Sequence, residues 1–143
     1  GEEERAELAS QRPPRHVRVE APRREPCEFH RVHAVLDLTG AVSLGVLPAL
    51  LSKAAVMITN DSGPMHIAAA LGVPVAAIFG PTSAVRTGPY GAGHRVLTAS
   101  IPCRPCFSRV CRHSPEMECL HLVTPNEVAE ATQRLVAAHA SFS

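Results

Sequence analysis

The most constraining stretch of this chain runs from Ala55 to Pro81: AVMIT, then NDSGPMH, then IAAALG, then VPVAAIF and GP. Two short apolar runs, rich in β-branched and small residues, bracket a segment that opens on a polar turn and closes on a glycine. That order predicts a strand over Ala55–Thr59, a turn over Asn60–Gly63, a helix over Met65–Leu71 and a second strand over Val73–Phe79. Pro64 has the fixed φ suited to a first helical position, and Gly72 is the expected residue just past the helix end. Parallel strands need a crossover, and strands this apolar need cover on both faces of a sheet. The fold class is therefore α/β, a parallel sheet with flanking helices.

The flanks extend that pattern. Val35–Leu38 reads as a strand ended by Thr39-Gly40. Ser43 reads as the cap of a helix through about Ala54, with Leu44, Leu47, Leu50 and Leu51 on one stripe and Pro48 allowing a kink or a late start. A loop rich in Gly and Pro reaches Gly93, and Arg95–Thr98 forms a further strand. Thr124-Pro125-Asn126-Glu127 is a capping box that opens a final helix over 124–139, with Val128, Ala131, Leu135 and Ala138 inward. Gly1–Ala9 is a run of good helix formers led by carboxylates. Residues 11–34 form a loop rich in Pro and Arg, with one short extended piece at His16–Val19. Its arginines suit a solvated surface, and a patch for an anionic partner is the alternative.

Composition removes several functions. The 143 residues suit one domain, and 45% hydrophobic residues supply a core. With no Trp, one Tyr and four Phe, that core rests on Ala, Val, Leu and Ile, and no stacking platform for single-stranded nucleic acid is available. A net charge of +1 lacks the excess of a phosphate-backbone binder. No apolar run has the length of a membrane span, and the acidic start GEEER is not a signal peptide. The expected setting is cytoplasmic, without a transmembrane segment and without a nucleic-acid partner.

Chemistry belongs where the first strand runs into the turn, since ligands of open α/β sheets sit at the carboxyl ends of strands. The backbone N–H groups of Ser62 and Gly63 lie at a helix N-terminus, which favours an anion such as phosphate. Asp61 can accept hydrogen bonds from sugar hydroxyls, Ser62 can donate to a phosphate oxygen or cap the helix, and His66 can point toward the same ligand. Asp61 is one of only two aspartates, with Asp37. Gly80-Pro81-Thr82-Ser83, after the second strand, opens on the same edge, so two short polar loops would line one cleft. Arg86 and Tyr90 would stand near its mouth, to meet acceptor phosphates or simply to pack the loop.

These residues resemble a known family. Leu38–Gly40, Ser43–Leu44, Leu50–Ala55, Asn60-Asp61-Ser62-Gly63-Pro64-Met65-His66, Ala68–Leu71, Pro74 and Phe79-Gly80-Pro81-Thr82 look like the heptosyltransferases of lipopolysaccharide core synthesis, glycosyltransferase family 9. The pattern Cys-x-x-Cys-Phe-x-x-x-Cys with Cys119-Leu120 looks more like the heptosyltransferase II branch. The resemblance covers most of Val35–Val128, and weakly Gly1–Ala9, and implies the C-terminal, Rossmann-like half of a GT-B enzyme, lacking the first strand and helix of that half. It implies an inverting transfer of heptose from ADP-L-glycero-β-D-manno-heptose to a lipid A-core acceptor, with no cofactor. By that resemblance Asp61 contacts heptose hydroxyls, the amides of Ser62 and Gly63 hold the diphosphate, and Met65 and His66 belong to the same pocket. Val42 falls beside adenine and Glu2 beside the ribose. The family's catalytic carboxylate belongs to the N-terminal domain, so no catalytic residue is assigned here. Lys53, the sole lysine, does not match the lysine that neutralises the diphosphate. The alternatives are a non-catalytic nucleotide- or anion-binding module and a small interaction domain stabilised by metal at its cysteines.

Cys103, Cys106, Cys111 and Cys119, with His113 among them, carry the third alternative. The Cys-x2-Cys spacing suits zinc, the same thiols could hold an iron–sulfur cluster, and a disulfide or reduced thiols in a surface loop remain open. The resemblance implies no metal role. Cys27 reads as a lone thiol, and His16, His30, His33 and His139 as solvated surface residues.

Overall fold

The computed structural model describes residues 35–140. The expectations for Gly1–Ala9, for 11–34 with His16–Val19, and for Glu2 and Cys27 lie outside the described residues. Helix α1 (Leu47–Leu51) is followed by strand β1 (Met57–Asn60), helix α2 (Gly63–Ala70) and strand β2 (Val75–Phe79). Then come the short helix α3 (Ala84–Thr87), strand β3 (Arg95–Thr98), the short helix α4 (Glu118–His121) and helix α5 (Pro125–Ala140). The three strands form one parallel sheet in the order β1-β2-β3, with Met57 opposite Val75 and Ala76 opposite Arg95. The βαβ unit expected from Ala55–Phe79 is present.

Strand β2 is the centre. Val75, Ala77 and Phe79 alternate onto the face that holds the main core, with Leu51 of α1, Met65 and Ala68 of α2, and Val73. Ala76 is fully buried on the other face, where α5 packs on β2 and β3 through Ala131 and Leu135. The small residues of β2 let helices approach from both sides. Cover on both faces holds for β2 alone: Ile58 of β1 is 52% exposed and β3 is mostly open. Among the described residues β1 and β3 are the edges, so each is packed less completely.

The ends of α2 follow its sequence. Ser62 is its N-cap and Gly63 its first residue, so Pro64 stands one position later than expected, still within the turn where a missing N–H costs nothing. At the other end Gly72 takes φ +74, its N–H bonds to the Ala69 carbonyl and that of Val73 to Ala68. These paired bonds form a Schellman motif, which needs a residue without a Cβ penalty at the left-handed position.

Several expectations are corrected. Val35–Leu38 is not a strand: among the described residues no strand pairs with it, and Val35 and Leu36 are exposed. The turn after it is as expected, with Gly40 at φ +72 and the Ala41 N–H bonded to the Leu38 carbonyl. The first helix starts at Leu47 rather than after Ser43, because Pro48 has no N–H to bond back to Leu44 and fits only in a first turn. Leu44 and Leu50 are exposed, leaving Leu51 buried and Leu47 packed beside it. Ala138 is exposed near the end of α5, one turn past the last buried residue, Leu135.

Candidate functional site

In a parallel sheet every strand ends at the same edge, so the turn after β1 and the loop after β2 emerge side by side. The structure joins them. Thr87 Oγ1, at the end of α3, donates to Asp61 Oδ2 at 3.1 Å and lies 3.2 Å from the Ser83 carbonyl. Asp61 is half-buried. Among the described residues its Oδ1 accepts no hydrogen bond, which leaves one carboxylate oxygen for a hydroxyl from outside.

Beside it the helix start is unsatisfied. Ser62 is extended, φ −157 and ψ 160, and makes no side-chain cap; its hydroxyl pairs with Thr59 Oγ1 at 3.0 Å instead. The reading of Ser62 as a capping side chain is thus replaced by a bond within the turn. Among the described residues neither the Ser62 nor the Gly63 N–H finds an acceptor. Free donors at the N-terminus of an eight-residue helix favour an anion. At Gly63 an added Cβ would meet nothing within 4 Å, so the surface above it is open to close approach.

The other expected residues divide. His66 is exposed on α2, one turn into the helix. Met65 is fully buried among Phe79, Val75 and Ala68, so its side chain serves the core and does not line the turn. Val42 is half-buried in the segment leading to α1, which packs against α2. Arg86 is engaged elsewhere, its guanidinium 5.0 Å from the ring centre of Phe107. Tyr90 is exposed. Glu2 lies outside the described residues.

Two residues went unread in the sequence. Thr87 supplies the only described hydrogen bond to Asp61. Arg104, inside the Cys-x2-Cys stretch, donates from Nε to the Gly80 carbonyl, from one Nη to Ala99 at 2.6 Å and from the other to Thr82 at 3.5 Å. The Phe107 N–H takes the Pro81 carbonyl at 2.9 Å. The cysteine segment thus grips three successive carbonyls of the loop after β2. Backbone acceptors carry no sequence signature, so nothing in the pattern marked Arg104.

The cysteine segment also shapes a hollow of about 620 Å³, lined by all four thiols, Pro81 and Leu120. Neither Asp61 nor His66 reaches it. Cys103, Cys106, Cys111 and Cys119 are free thiols. Among the described residues no three His, Cys, Asp or Glu side chains are grouped to hold a metal ion. His113 is paired with Glu118 at 2.6 Å, and the Met117 N–H donates to Cys111 Sγ at 3.2 Å. Partial burial pushes the Cys103 thiol above its ordinary value, and the nearby Cys106 adds to the effect.

The model of glycosyltransferase family 9 (heptosyltransferase) matches residues 13–116. The chain belongs to glycosyltransferase family 9. Among curated members, it is 38% identical over 77 residues to lipopolysaccharide heptosyltransferase 1 of Pseudomonas aeruginosa, covering 54% of this chain and 22% of that protein. It is 35% identical over 82 residues to lipooligosaccharide heptosyltransferase 2 of Campylobacter jejuni, covering 55% of this chain and 25% of that protein. It is 39% identical over 61 residues to lipopolysaccharide heptosyltransferase 2 of Escherichia coli, covering 43% of this chain and 18% of that protein. These identities do not separate the two heptosyltransferase branches. A solved family 9 structure from Veillonella parvula aligns with a TM-score of 0.56 at 29% identity, over 69% of this chain and 28% of that one. This family 9 chain therefore spans about a quarter of the length of the relatives it matches, and its family match ends before α4 and α5.

Proposed function

We propose that this chain supplies the donor-binding part of a heptosyltransferase that moves heptose from ADP-L-glycero-β-D-manno-heptose to the lipopolysaccharide inner core, with inversion at the anomeric carbon. One observation carries the reading: Asp61, steadied by Thr87, stands beside two backbone amides at the start of α2 that have no acceptor among the described residues. A sugar diphosphate presents the matching groups, hydroxyls for the carboxylate and phosphate oxygens for the amides. His66 would line the same edge, Val42 would lie toward adenine, and Glu2 would meet the ribose.

Inverting transfer needs a base to deprotonate the acceptor hydroxyl and positive charge to stabilise the departing diphosphate. Family resemblance assigns the base to the N-terminal domain, and Lys53, exposed after α1, does not match the neutralising lysine. The chain by itself is accordingly proposed to bind donor without turning it over, and to act with that domain on a lipid A-core acceptor at the cytoplasmic face of the inner membrane. Among the described residues no helix is long and apolar enough to cross a membrane.

Free amides hold phosphate whatever is attached to it, and this favours a second reading, a non-catalytic nucleotide-binding module. Calorimetric titration with ADP and with ADP-heptose tests the first reading and separates it from the second. Donor binding that Asp61→Ala weakens by roughly tenfold, with less effect on ADP, is expected for loss of a hydrogen bond to a charged group. Equal affinity for the two ligands selects the module. Absence of binding, or binding indifferent to Asp61→Ala, rejects the donor site.

A further inference from the structure

We infer that Arg104 is a positioning residue for the donor site, setting the Asp61 carboxylate from the far side of the loop after β2; this rests on the donor-site reading above. The connection is a continuous run of named bonds. Arg104 donates to the carbonyls of Gly80 and Thr82 on the loop and of Ala99 just after β3. It thereby ties the loop to the neighbouring strand's end. The Phe107 N–H holds the Pro81 carbonyl between them. The loop then turns into α3, where the Ser83 carbonyl accepts from the N–H groups of Arg86 and Thr87, both at 3.0 Å. Thr87 Oγ1 closes the run on Asp61 Oδ2.

The side-chain chemistry fits this role. A guanidinium offers five donors in one rigid plane, enough for three carbonyls at fixed angles, where an ammonium is a single mobile point. Arg104 is half-buried, and its donors are directed at protein carbonyls. Gly80 is drawn into the same contact: an added Cβ would stand 2.7 Å from Leu120 Cδ2, so the loop lies flat against α4. The loop is thus clamped on the cysteine side, while its far end fixes the hydroxyl that orients Asp61. The cysteine segment, which the donor chemistry leaves without a part, becomes the support of the site.

The test compares two affinities in the 143-residue chain, for ADP and for ADP-heptose. Their ratio reports the sugar contacts, and Asp61→Asn sets the scale for losing them. Arg104→Gln is expected to lower that ratio by about the same factor as Asp61→Asn, on the order of tenfold, and to add little when combined with it. Arg104→Lys is expected to restore part of the ratio. Thr87→Val breaks the last bond and leaves the Arg104 bonds intact, so it should lower the ratio even if Arg104→Gln folds poorly. A merely structural role gives another result: both affinities fall together with the melting temperature and the ratio holds, which overturns the inference. A ratio unmoved by Thr87→Val overturns it as well. Wild-type chain that binds neither ligand rejects the donor site and this inference together, whereas Asp61-dependent binding indifferent to Arg104 rejects the inference alone.

Discussion

Gly63 is a position where folding and the proposed ligand contact can be separated. Its φ is not left-handed, and an added Cβ meets nothing within 4 Å, so neither backbone nor packing demands glycine there. Gly63→Ala should leave stability unchanged or raise it by up to about 1 kcal/mol, since alanine restricts the unfolded chain. In the proposed donor site the same methyl group would stand in the path of a phosphate oxygen, and ADP affinity should fall roughly tenfold by calorimetry. Unchanged affinity in a folded Gly63→Ala variant would remove close approach at the amides. The placement of Asp61 and Gly63 between a strand end and a helix start was legible because strand, polar turn and helix follow one another in the chain. The burial of Met65 also follows from spacing: Met65 and Ala68 are three apart and share the buried face of α2. Thr87 is twenty-six residues from Asp61, and no local pattern connects them.

Two helix ends were readable because capping there depends only on neighbouring residues, whereas the start of α1, expected at Ser43, moved to Leu47 under the constraint of Pro48. The Schellman end at Gly72 and the box at Thr124–Glu127 both formed as their residues dictate. Strand Val35–Leu38 was not readable, since a strand exists only beside a partner and an apolar run does not specify one. The capping box makes a pH prediction. The N–H and hydroxyl of Thr124 both donate to Glu127 Oε2, at 2.8 and 2.9 Å, and hold its carboxyl below the ordinary 4.5. A carboxylate lowered on folding stabilises the native state fully above its unfolded value, and that stability is lost as pH falls through the folded value. Glu127→Gln should therefore lower the melting temperature at neutral pH, with the gap to wild type closing below pH ~4. A gap of constant size down the same pH range would show that ionisation of Glu127 contributes nothing to the cap.

For the whole molecule, the parallel α/β plan was visible because β2 is apolar on both faces and is followed by a loop rich in Gly and Pro. The hold of the cysteine segment on the loop after β2 was hidden, because it runs to backbone carbonyls, which no sequence pattern marks. The core has a weak point that follows from composition. Among the described residues it is built mainly of alanine, valine and leucine, and its largest fully buried side chain is Phe79. Phe79 ends β2, meets the α2 layer and leads directly into Gly80, the first carbonyl that Arg104 grips. Replacing a buried Phe by Ala costs about 3–5 kcal/mol, a large share of the roughly 5–15 kcal/mol that holds a domain folded. With no Trp in the chain and Tyr90 exposed, fluorescence reports little of this core, so urea unfolding followed by far-UV circular dichroism is the measurement. Phe79→Ala should shift the midpoint to the edge of native conditions and abolish ADP binding in the same step, because the loop holding Thr87 hangs on the same strand. A loss below about 1 kcal/mol, near the average for any substitution, would show that the alanine and valine layers hold the sheet without it.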